Sequence, residues 1–104
     1  MKRNAFAMRL KPGCAAEYKK RHDAIWPELK AELRKAGVSD YSIYLDKKTN
    51  TLFAFQYLAS DTTEGELASK AIVKKWWHMM KDIMDTNPDE SPVSTALKEM
   101  FHMD

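Results

Sequence analysis

The chain has 104 residues, enough for one domain spanning residues 1–104, and its 44% hydrophobic and 31% charged content is that of a globular chain rather than a disordered one. A net charge of +2 leaves no broad basic field for nucleic acid. The single cysteine, Cys14, excludes an intramolecular disulfide and fits a reducing cytoplasm, and no apolar run approaches the roughly 20 residues of a membrane span.

Met1-Lys2-Arg3-Asn4 carries two charges with no long apolar region behind it, so no secretory signal is expected. Ala5 to Leu10 alternates as a first strand, with Phe6, Met8 and Leu10 on one face, and Pro12-Gly13 ends it. From about Ala15 the pattern turns helical: Tyr18, His22, Ile25, Leu29, Leu33 and Ala36 recur at three- and four-residue steps. Pro27 interrupts that pattern and predicts a kink or short break, after which it can open a second helical piece with Glu28 near its positive end. Gly37 is a natural stop.

Tyr41 to Leu45 reads as a second strand and Leu52 to Leu58 as a third, joined by the turn residues Asp46-Lys47-Lys48-Thr49-Asn50 into a hairpin. A second helix is expected from Asp61 or Thr62 toward Met84, weakened early by Gly65. Asn87 to Pro92 is loop. Leu97 to Met103 fits a last strand or a helix equally well.

The order β-α-β-β-α-β predicts an α+β, ferredoxin-like fold: a four-stranded antiparallel sheet with two helices on one face. Phe6, Met8, Phe53 and Phe55 leave little room for a polar second face. Pairing two sheets in a homodimer would cover it, and would add burial to a small domain.

Tyr18, His22 and Trp26 fall on one face of the first helix. Their polar edges make them unusual as pure core filling, and together they offer a sugar an aromatic wall and a proton-moving group. His22 has two readings: a core histidine bonded to a backbone carbonyl, or an acid–base group poised near neutral pH. Asp23 points about 100° round the helix from it and is a weak partner. The kink at Pro27 turns Trp26 inward, toward a scaffold role.

Trp76 and Trp77 diverge by about 100° on a helix, so one can be buried while the other lines a groove. Met79, Met80 and Met84 read as packing. Tyr41, near a strand start, either packs on the sheet or brings its hydroxyl to a pocket rim. His78 and His102 form no metal-ligand spacing with His22, and no glycine-rich phosphate loop occurs, so no metal is expected.

Taken in order, Glu17-Tyr18 with Arg21-His22, Ile25-Trp26-Pro27-Glu28-Leu29, Tyr41-Ser42-Ile43-Tyr44-Leu45-Asp46, Lys75-Trp76-Trp77, and Asn87-Pro88-Asp89 with Ser91-Pro92-Val93-Ser94 resemble the L-rhamnose mutarotase family along essentially the whole chain. The resemblance implies a dimeric α/β barrel, in which two ferredoxin-like chains pack sheet to sheet. It implies an isomerase that interconverts the α and β pyranose anomers of L-rhamnose without a cofactor. By position, His22 matches the family's catalytic proton donor, and Tyr18, Tyr41, Trp76 and Trp77 match its sugar-binding residues. Asp23-Ala24 stands where an Asn-Pro pair is common, and Glu64-Gly65 where a tryptophan can occur. Neither departure removes a residue assigned to the site.

Fold alone does not choose a function. A cofactor-independent monooxygenase or haem-degrading enzyme would share this architecture, with a large apolar cavity. A non-catalytic effector-binding domain would share it too, but would have no need of a proton donor.

Overall fold

The computed structural model describes residues 2–104. Its elements run β1 (Lys2–Arg9), α1 (Ala15–Asp23), α2 (Pro27–Ala36), β2 (Val38–Asp46), β3 (Thr51–Leu58), α3 (Thr63–Ala68), α4 (Ala71–Met80) and β4 (Ser94–Ala96). The strands form one antiparallel sheet in the order β2-β3-β1-β4. This is the ferredoxin-like βαββαβ arrangement, with each expected helix realised as two shorter ones.

Strand alternation sorts the sheet into two faces. Asn4 pairs with Gln56, Phe6 with Ala54 and Met8 with Leu52, and these side chains share the face under the helices. There they meet Tyr18, Leu29, Val73, Trp76 and Met80, which build the core with Leu52, Ala54, Ile83 and Met84. The opposite face carries Arg3, Ala5 and Ala7 beside Tyr57, Phe55 and Phe53. No helix among the described residues covers it: Phe55 is 44% exposed and Tyr44 64% exposed. These two rings meet edge to face at 6.0 Å.

Pro27 breaks the first helical segment as its ring chemistry requires. A residue before proline is driven out of the helical region, and Trp26 sits at φ −60°, ψ 130°. Pro27 then occupies the first helical position of α2, and Glu28 lies in its positively polarised first turn. The helix ends on Gly37 at φ +103°, whose N–H bonds to the carbonyl of Arg34. Gly37 also lies against Ala59: a Cβ there would come within 2.5 Å of the Ala59 Cβ.

Three expectations need correction. The helix expected from Asp61 or Thr62 to Met84 is two helices, broken without a proline at Ser69-Lys70. Ser69 Oγ donates to the Glu66 carbonyl at 2.7 Å, and the Ser69 and Lys70 amides close a tight last turn on Glu66 and Leu67. Lys70 then takes an extended conformation and starts α4. Met84 lies beyond α4 and bridges Leu10.

The second strand is longer than Tyr41 to Leu45 and is bulged. Ser39 faces Tyr57 while Ser42 faces Phe55, so Asp40 and Tyr41 together stand opposite Gln56. Asp40 absorbs the extra residue in a left-handed conformation, φ +48°.

The last strand is Ser94–Ala96, not Leu97 to Met103. The loop closes early, through a Thr86–Pro92 bridge and the Val93 N–H bonded to the Asp85 carbonyl, so the returning chain reaches β1 three residues sooner. Leu97 makes the last ladder bond, to Ala5. The following tail has no regular structure and exposes Met100, Phe101 and Met103. No helix among the described residues is long and apolar enough to cross a membrane.

Gly37→Ala is expected to destabilise the fold by about 2 kcal/mol or more, because the αL conformation alone costs a Cβ roughly 1–2 kcal/mol and the Ala59 contact adds to it. Chemical unfolding checks this, and a midpoint equal to wild type would refute it.

Candidate active site

A cleft of about 1540 Å³ runs between the helices and the covered face of the sheet. Tyr18 and His22 from α1, Tyr41 from the β2 bulge, and Trp76 and Trp77 from α4 all line it. Five residues read from separate segments therefore converge on one space.

His22 sits in the last turn of α1, and its neighbour Arg21 fixes where that turn lies. The Arg21 guanidinium donates to Glu17 at 2.8 Å, to the Met79 carbonyl at 2.9 Å and to both oxygens of Asp82. These bonds tie α1 to the C-terminal end of α4, where carbonyls lack helical partners. The clamp holds His22 against Trp76.

The imidazole is packed on two sides. It stacks on Tyr18 with ring centroids 4.2 Å apart and an interplanar angle of 24°. Trp76 meets it edge-on at 5.3 Å. Its Nδ1 lies 3.1 Å from the Tyr18 carbonyl. A carbonyl can only accept, so Nδ1 carries a proton and Nε2 is the nitrogen left to a ligand. Burial lowers the His22 pKa below its ordinary value, against opposing pulls from the Tyr18 carbonyl and the Asp23 charge. Asp23 is itself held by Lys19 at 3.1 Å.

Burial raises the Tyr18 phenol well above its ordinary value, with a further push from Tyr41. It also pushes the Tyr41 phenol up to about 12, assisted by the Glu64 charge. Tyr41 nonetheless exposes 40% of its surface, as a ring surrounded by protein but open to a cavity would. Both phenols stay protonated at neutral pH and can donate. Trp76 is 9% exposed and braced by Trp26, which meets it edge-on at 5.1 Å. Trp26 does not line the cleft; with Trp76 it borders a separate hollow of about 230 Å³ on the other side of Trp76. Trp77 is only partly buried.

Comparison with known proteins decides the family. The profile of the L-rhamnose mutarotase family matches residues 3–103. A protein of Bacteroides thetaiotaomicron named L-rhamnose mutarotase is 64% identical, over the full length of both chains. A crystal structure of an L-rhamnose mutarotase from Formosa agariphila superposes with a TM-score of 0.93 at 54% identity, again covering all of both chains.

This chain belongs to the L-rhamnose mutarotase family. It is an isomerase by that membership. A solved protein from Mycobacterium tuberculosis, 16% identical with a TM-score of 0.61 over 98% of this chain and 97% of its own, shares the fold alone.

Beyond the five residues read from sequence, the polar lining of this mutarotase-family cleft includes a hydrogen-bonded group that sequence reasoning did not assign to the site. Asn4, Gln56 and Glu64 line it as well. Gln56 interrupts an otherwise apolar row at a buried position of β3, and Asn4 continues the Phe6, Met8, Leu10 alternation. That alternation was the signal that could have found Asn4 and Gln56; Glu64, on α3, carried none.

A histidine whose folded pKa is depressed stabilises the fold in its neutral form. The contribution is intact above the unfolded value of about 6.5 and is lost as pH falls from there through the folded value. The stability of the wild type is therefore expected to drop more steeply than that of His22→Gln between about pH 7 and about pH 5. Urea melts across that range test it, together with an NMR titration of the His22 ring protons. A His22 midpoint above its ordinary value would contradict the burial argument.

Proposed function

We propose that the chain interconverts the α and β pyranose anomers of L-rhamnose in this cleft, with His22 carrying the proton. The observation that supports it most is the setting of His22: bonded through Nδ1 to the Tyr18 carbonyl, with Nε2 left to a ligand, in a burial that favours the neutral ring. In ring opening, Nε2 takes the anomeric hydroxyl proton as the C1–O5 bond breaks and C1 becomes a carbonyl. The imidazolium then donates that proton to the ring oxygen, O5. Rotation about C1–C2 presents the other carbonyl face, and the same steps in reverse close the ring. The anomeric and ring oxygens share C1, so one nitrogen can serve both. No redox cofactor is needed, since nothing is oxidised or reduced.

The other residues have distinct parts in this proposal. The Tyr41 phenol donates to a sugar hydroxyl. Trp77 offers the accessible indole surface for the sugar's C–H groups, while Trp76, deeper and braced by Trp26, closes the wall. Tyr18 binds at the cleft wall and holds the imidazole plane by stacking. A haem-degrading or monooxygenase function has less support, because the family profile over residues 3–103 and a relative 64% identical over the full chain are L-rhamnose mutarotases.

The same proposal treats the whole chain as one mutarotase domain, working in the cytoplasm as a homodimer. Pairing the uncovered sheet faces would bury Phe55, Tyr44 and Phe53, and the apolar tail lies at the same molecule's edge strand.

His22→Ala is expected to lower the enzymatic exchange rate by about 10²- to 10⁴-fold, read by saturation-transfer NMR on L-rhamnose. Because the neutral imidazole starts the cycle, kcat/KM should fall on the acid side with a midpoint below His22's ordinary pKa. Wild-type exchange in the variant would sink the assignment. For the dimer, light scattering should give twice the mass of the 12.0 kDa chain, and Phe55→Lys should shift it toward the monomer. A wild-type monomer at micromolar concentration would refute the pairing.

A further inference from the structure

The bulge in β2 builds a polar row that the proton-transfer chemistry does not use. Tyr41 stands opposite Gln56, and Gln56 pairs with Asn4, so the three residues cross β2, β3 and β1 side by side on the covered face. Asn4 Nδ2 donates to Gln56 Oε1 at 3.0 Å and also to Glu64 Oε1 from α3. Both protons of the Asn4 amide are thereby spent on holding its two neighbours.

What remains points to a ligand. Among the described residues no protein group bonds Glu64 Oε2, Asn4 Oδ1 or Gln56 Nε2, and all three side chains line the cleft. Gln56 is only 7% exposed, and with its Oε1 taken by Asn4 its Nε2 is the group left for the cleft that the side chain lines. With Glu64, these side chains leave one amide donor and two acceptors, one of them a carboxylate oxygen, beside the Tyr41 hydroxyl. That is the complement of neighbouring sugar hydroxyls, each of which donates and accepts. It also shares the cleft with the proposed reaction centre: Tyr41, Glu64, Tyr18 and His22 all line it, and His22 stacks on Tyr18.

We propose that Glu64, positioned by Asn4 and flanked by Gln56, accepts a hydrogen bond from a non-anomeric hydroxyl of the sugar and so sets which monosaccharides the cleft takes. The proposal rests on the sugar-exchange function above. Charge-assisted bonds of this kind are shorter and stronger than neutral ones, and a site built to bond a hydroxyl discriminates strongly against an analogue that lacks it. Glu64 is exposed on the first turn of a short helix, so its replacement leaves the core intact.

The test is Glu64→Gln, assayed for anomer exchange on L-rhamnose and on its 2-, 3- and 4-deoxy analogues. The KM for L-rhamnose should rise about tenfold, the worth of one hydrogen bond to a charged group, with a smaller fall in kcat. For one of the analogues, the difference between variant and wild type should vanish, because its missing hydroxyl is the partner. Calorimetric titration of L-rhamnose into both proteins reads the same affinity ratio without relying on turnover. If the wild type binds L-rhamnose but exchanges no anomers, the function proposal fails, while this one is still judged by that ratio. An unchanged KM and Kd in Glu64→Gln would overturn it, as would an equal penalty on every analogue.

Discussion

The steric demand of Pro27 on the residue before it organises the helical side of the molecule. Trp26 cannot be helical, so α1 must end before it, and α2 must set off in a new direction. The end of α1 thus lies where it can meet the end of α4. Arg21 bridges the two ends through Met79 and Asp82, and His22 follows as the next residue. A straight helix from Ala15 to Ala36 would run on past α4 and leave no cleft wall at His22. The same break swings Trp26 behind Trp76, where it supports an indole that would otherwise have only one neighbouring ring.

Enclosure then determines the chemistry of the imidazole. A histidine at a helix C-terminus is normally pushed toward its charged form by the carbonyl dipoles. Here desolvation wins, because rings cover two sides and the nearby carboxylate is occupied by Lys19. The Tyr18 carbonyl fixes the tautomer while adding only a partial opposing pull. A neutral imidazole with one fixed N–H suits a reaction in which the proton taken from one oxygen is returned to its neighbour. A strong carboxylate partner would favour the imidazolium and make the return step harder.

The parts of this architecture governed by short-range rules were legible in the sequence. Proline at 27, glycine at 37 and the turn between Asp46 and Asn50 act through their own backbone preferences, and the structure uses them as expected. The strand faces followed from alternation, and the convergence of Tyr18, His22, Tyr41, Trp76 and Trp77 agrees with the family resemblance. Features that depend on distant pairing were not legible. The bulge at Asp40-Tyr41 exists because β2 must match β3 on both sides of it, and no local glycine announces it. The break at Ser69 turns on one hydroxyl choosing a backbone carbonyl. The tail from Leu97 reads as strand or helix because its apolar side chains call for a partner surface, and the described chain gives it only an edge contact at Ala5 and an ion pair between Arg3 and Glu99.

The bulge also explains why the covered face of the sheet is not uniformly apolar. One extra residue in β2 brings Tyr41 over Gln56, and the cross-strand register brings Gln56 to Asn4. A leucine pair in place of Asn4 and Gln56 would extend the core that Leu52, Ala54 and Met8 already form, and would remove the desolvation cost of two amides. The protein forgoes that stability at one end of the sheet only, the end that opens into the cleft beside Tyr41. Polar groups that weaken a core are retained where they serve binding. The placement of these two amides, opposite a bulged tyrosine and beside a carboxylate that Asn4 holds, is what the proposed ligand site accounts for and an ordinary packing defect does not.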